Sequence, residues 1–119
     1  VTTYGVSNEL LGEPAFQAMI AHEVKHGHHI LSEKSNYRGM GRSYFHLPDE
    51  LENELVTGGF GNNDVRGVVG CAWLTPNLDE IWQDAGRREA VMRIVRMLEK
   101  EPSILGLSTH LLAISEKLT

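Results

Sequence analysis

Apolar and polar positions along this chain recur at intervals that predict helices over most of its length. Pro14 suits the first turn of a helix, and Phe16, Ile20, Val24 and Leu31 follow at roughly helical spacing until the polar stretch 34–39 ends the pattern. A helix is therefore predicted over 14–33. Leu47, Leu51 and Leu55 lie four apart around Pro48, and Thr57-Gly58-Gly59 closes a second helix over 48–57. Thr75 has N-cap chemistry with Pro76 at the first helical position, and Leu78, Ile81, Ala85, Met92, Val95 and Leu98 give a third helix over 76–100. Pro102 restarts the chain, and Ile104, Leu107, Leu111, Ile114 and Leu118 form a heptad-like stripe, widened by Leu105 and Leu112, for a last helix over 102–118.

Two stretches do not fit a helical period. The glycine-rich segment 58–64 lacks both the Lys-Ser/Thr of a phosphate-binding loop and the spacing of a dinucleotide fingerprint, so it reads as a connecting turn. The apolar run 65–73 suits a buried strand as well as a buried helix, and 1–7 suits an edge strand or an arm. The fold expected is mainly α: a small helical bundle in a single domain, 1–119, with a short β element near 1–7 or 65–73.

Composition narrows the functional classes. With 119 residues and 41% hydrophobic side chains, the chain can bury one core without disulfides, and its lone Cys71 sits in an apolar run that favours an inert thiol. Sixteen acidic against eleven basic residues leave a net charge of -5, with no basic block, so nucleic-acid binding is not expected. No apolar stretch reaches the ~18 to 20 residues of a membrane span, and no leader pattern opens the sequence, which makes a cytoplasmic protein the default expectation. The chain begins without Met, so a preceding segment stays open.

One motif carries recognisable chemistry. His22-Glu23-Val24-Lys25-His26 is an H-E-x-x-H match, continued by Gly27-His28-His29. On a helix, histidines four apart share a face and can bind one Zn²⁺, while the glutamate between them reaches metal-bound water as general base. The segment resembles the active-site helix of zinc metallopeptidases, the zincins. That resemblance implies a zinc hydrolase with Glu23 as catalytic base, His22 and His26 as metal ligands, and a carboxylate from the next helix, Glu50 or Glu54, as the third, with His46 behind them. Glu23-x-x-His26 also resembles the E-x-x-H element of di-iron carboxylate proteins, which implies a site completed across a homodimer by Glu9, Glu13 or Glu54. The third alternative is that these polar residues are the solvated face of an amphipathic helix.

Two function classes follow. The first is a small helical protein-interaction module, an adaptor, regulator or inhibitor, expected to be a homodimer because the last helix carries apolar residues over more than a third of its surface. The second is the metal-dependent hydrolase, or the di-iron protein.

Overall fold

The computed structural model describes residues 8–29 and 42–119. They belong to two compact units, Val1–His46 and Leu47–Thr119.

In the first unit, α1 spans Pro14–His26, with proline at its start and Lys25 and His26 in its last turn, where positive charge suits the helix dipole. Phe16 on this helix is fully buried. The helix stops at Gly27, whose φ of 73° closes the last turn as its N–H donates to the Glu23 carbonyl at 2.7 Å. The predicted helix over 14–33 is thus too long: the chain reverses into β1, His28–His29, which pairs antiparallel with β2, Ser43–Tyr44. A side chain at Gly27 would place its Cβ 2.8 Å from Cε2 of Tyr44, so both the left-handed turn and the ring packed upon it require glycine. The remainder of that predicted helix, and the stretch 1–7, lie outside the described residues.

In the second unit, α2 spans Pro48–Thr57, the bounds that the leucine spacing predicts. Glu50 reaches back to accept the Leu47 backbone N–H at 2.9 Å, which satisfies one of the unpaired amides of the first turn. The chain then forms β3, Phe60–Gly67, antiparallel to β4, Leu111–Lys117. Gly61 lies opposite Glu116 and Asp64 opposite Ile114, so β3 advances three residues where β4 advances two. This bulge holds Asn62 at φ 51°, and its side-chain amide donates to Glu116 at 2.7 Å. Between the strands lie a 3₁₀ turn, Ala72–Leu74, then α3, Leu78–Gln83, α4, Ala85–Leu98, and α5, Pro102–Leu105. Helix α2 packs against both strands, α5 against β3, and α4 against α3 and the 3₁₀ turn.

The helical bundle expected from the periodicity is overturned. Helix accounts for 50% and strand for 19% of the described residues, in two small antiparallel sheets and five helices, a mixed α/β fold. The expected helix over 102–118 ends after four residues at Gly106, and the run Leu111-Leu112-Ala113-Ile114 becomes strand. Contacts at two glycines, Gly67 and Gly70, hold the segment that leads into the strand. Gly67 donates its N–H to the Glu99 carbonyl, and its α-carbon lies so near Ser108 that a Cβ would sit 2.9 Å from the serine Cβ. Ser108 in turn donates its hydroxyl to the His110 carbonyl and accepts the Gly70 N–H, fixing the entry to β4. The helix over 76–100 is divided at Asp84, which is extended and accepts the Arg87 N–H at 2.8 Å as the cap of α4. The connecting turn expected at 58–64 is largely strand, and in the stretch 65–73 the strand ends at Gly67, bends and turns occupy 68–71, and the 3₁₀ turn begins at Ala72.

Burial along β4 alternates in an unusual sense. Leu111, Ala113 and Ser115 are half-buried, whereas Leu112 and Ile114 are 48% and 52% exposed. Among the described residues of this unit, Val95 is the one fully apolar side chain that is buried.

Candidate functional site

Helix α1 sets His22 and His26 one turn apart, and the reversal at Gly27 brings His28 back beside them. The ring centroids of His22 and His26 are 4.6 Å apart, those of His22 and His28 5.2 Å, and those of His26 and His28 6.0 Å. His28 is oriented through Nδ1, which donates to the His26 carbonyl at 3.0 Å. Nε2 of His22 is buried and has no hydrogen-bond partner. Desolvation, followed by the nearby charges of His26 and His28, pushes the His22 pKa down from its ordinary value. The cluster is therefore three neighbouring imidazoles, of which His22 is held toward its neutral form.

Glu23, the residue that the H-E-x-x-H reading makes a base, is buried, as is His29, only 2% exposed. The two meet: His29 Nδ1 donates to Glu23 Oε1 at 2.5 Å. This bond ties the helix to β1 across the Gly27 turn, and it engages the carboxylate of Glu23. Nε2 of His29 is buried without a partner.

Glu50 and Glu54 lie on α2 in the second unit, where Glu50 serves the helix start. His46 packs edge-on against the Tyr44 ring at 4.8 Å. Among the described residues, no group of three or more His, Cys, Asp or Glu side chains is arranged to hold a metal ion. The metal-binding character and the zinc expected from the motif are corrected on that finding. In place of converging donors, the imidazoles pack ring against ring and Glu23 pairs with His29.

The second unit carries a charged network and an apolar surface. Arg66 on β3 donates to Asp64 at 2.5 and 3.0 Å and to Glu99 at 2.8 Å, and Lys100 donates to Asp64 at 2.8 Å. The bonds from Arg66 and then Lys100 hold the Asp64 carboxyl below its ordinary pKa. In the same unit Val56, Met97, Leu112, Ile114 and Leu118 are exposed, between 48% and 76%, and Ile114 and Leu112 lie opposite Asp64 and Arg66 on the paired strand. A shallow apolar pocket of about 120 Å³ opens between Cys71, Ala72, Thr75, Val91, Ile94 and Val95.

Sequence reading brought His22 and His26 together correctly, since positions four apart on a helix share a face. It missed His28 and His29, which join only because Gly27 reverses the chain, although glycine directly after the second histidine was the available signal. It also missed that Leu112 and Ile114 stand outward on a strand.

No described helix is long and apolar enough to cross a membrane. No protein-family model, no curated protein and no solved structure matches this chain.

Proposed function

We propose that this chain is a homo-oligomeric protein-interaction module that works through the apolar surface of the unit Leu47–Thr119. One observation carries the reading: in that unit Val95 alone is buried among the apolar side chains, while Val56, Met97, Leu112, Ile114 and Leu118 face outward. Scattered exposed apolar residues are ordinary, but a core this small beside so much exposed apolar surface asks for a covering partner.

In this reading the cluster of the first unit is a structural element and the second unit supplies the contact. Light scattering over a range of protein concentrations tests it. A mass approaching twice the 13.3 kDa of one chain is expected. A mass of one chain at every concentration overturns the homo-oligomer.

A further inference from the structure

Strand β4 belongs to a sheet of two strands, so among the described residues its outer edge pairs with no strand. Such an edge offers a row of backbone donors and acceptors to another strand unless charge, proline or a bulge protects it. The bulge of this sheet lies on β3, β4 contains no proline, and its charged residues, Glu116 and Lys117, stand at its C-terminal end and leave 111–115 uncharged. On one face of the edge stand Leu112, Ile114 and Glu116, with Leu112 and Ile114 about half exposed, and His110, the residue just before the strand, continues the alternation as its carbonyl accepts the Val68 N–H at 3.1 Å.

We infer that this edge docks a second copy of the same strand, antiparallel, with the two-fold axis at Ala113. The inference rests on the homo-oligomeric reading above and names its surface and register. Complementarity within the strand argues for it. A two-fold axis perpendicular to a sheet keeps each face with itself, so opposed residues share parity and the axis passes through a residue. With the axis at Ala113, Leu112 of one copy lies opposite Ile114 of the other, and His110 lies opposite Glu116, each pair occurring twice. With the axis at Ile114, Leu112 instead faces Glu116 and Leu111 faces Lys117. With the axis at Leu112, His110 faces Ile114. Only the first register sets apolar against apolar and imidazole against carboxylate, the pairings that stabilise adjacent strands. The result is a four-stranded sheet whose four central apolar side chains are flanked on each β3 by Asp64 and Arg66, which sit opposite Ile114 and Leu112.

A charge exchange across that register tests the pairing. Ile114→Lys and Leu112→Glu each replace an exposed side chain and set a charge opposite an apolar residue. Each variant alone should weaken the dimer by about tenfold or more, read as mass by light scattering. Mixed in equal amounts, the two should form a heterodimer, since the introduced lysine of one copy then faces the introduced glutamate of the other. Circular dichroism of each variant confirms that the fold is kept. In a Cys71→Ser background, Ala113→Cys should cross-link to its counterpart on mild oxidation. Ser115→Cys should not, because the two positions stand about 14 Å apart along the strand and a disulfide needs α-carbons within about 7 Å. A dimeric wild type whose variants stay dimeric, whose mixture stays monomeric, or which cross-links at 115 overturns this pairing and leaves the homo-oligomer standing. A monomeric wild type overturns the homo-oligomer itself, and this pairing with it.

Discussion

Glu23 shows how far a residue's neighbours can redirect its chemistry. Its carboxylate is buried and its partner, His29, is more deeply buried, so removing either side chain leaves a polar group stranded in a poorly solvated place. Glu23→Ala is expected to cost the unit Val1–His46 about 3 kcal/mol, measured by chemical denaturation. A loss below about 0.5 kcal/mol would show that the bond contributes nothing net. Gly27→Ala tests the same turn from the backbone side. The left-handed φ and the approach of Tyr44 should together cost about 2 kcal/mol or more, read as a lowered denaturation midpoint. This part of the site was only half legible. The i, i+4 spacing discloses that His22 and His26 meet, because helix geometry is local. That Glu23 turns to His29 depends on where the helix stops and on the path taken afterwards.

Among the elements, α2 and the start of α1 could be read from sequence because proline and leucine spacing act locally and agree with the packing. Strand β4 could not. Ile104, Leu107, Leu111, Ile114 and Leu118 satisfy a heptad, yet the same letters satisfy a strand once Gly106 releases the helix, and the pairing that decides between them is supplied by β3, some 50 residues earlier. Strand β3 was hidden by its own composition: Gly61, Asn62, Asn63 and Asp64 are poor strand formers, and the bulge accommodates them by giving Asn62 a left-handed turn and an anchor on Glu116. Replacing Asn62 with valine should therefore destabilise the sheet despite valine's preference for strands. A loss of about 1 to 3 kcal/mol is expected, and an unchanged or raised denaturation midpoint would refute the account. Val95→Ala, the deletion of the buried apolar group where α4 lies against Gly70, should cost about 2 kcal/mol in the same assay.

At the scale of the whole chain, the two units carry titratable groups whose pKa values are displaced downward in different ranges. His22 is held below its ordinary 6.5, so folding favours its neutral form; the contribution is intact above that value and is lost as pH falls through the folded-state pKa. Asp64 is held below its ordinary 3.8, so its contribution survives to lower pH and disappears only as its carboxylate finally takes up a proton. Acid titration followed by NMR is expected to perturb the His22 ring signals first, in a range displaced below 6.5, and the Asp64 side-chain signals only below 3.8. Simultaneous loss of both sets in one step would contradict this ordering. His22→Phe should leave the Asp64 transition in place.

The division of the chain at Leu47 also partitions its fluorophores. All three tyrosines, Tyr4, Tyr37 and Tyr44, precede that boundary, and both tryptophans, Trp73 and Trp82, follow it. Trp73 is held by its indole N–H, which donates to the Leu107 carbonyl at 3.2 Å shortly before β4, while Trp82 is 42% exposed. Light absorbed by tryptophan alone therefore reports on the half that carries β3 and β4, and tyrosine absorbance reports on the half that carries α1, β1 and β2. The unmodified polypeptide is thus a two-channel optical sensor: an event confined to either half writes to its own chromophore, with no label to be introduced.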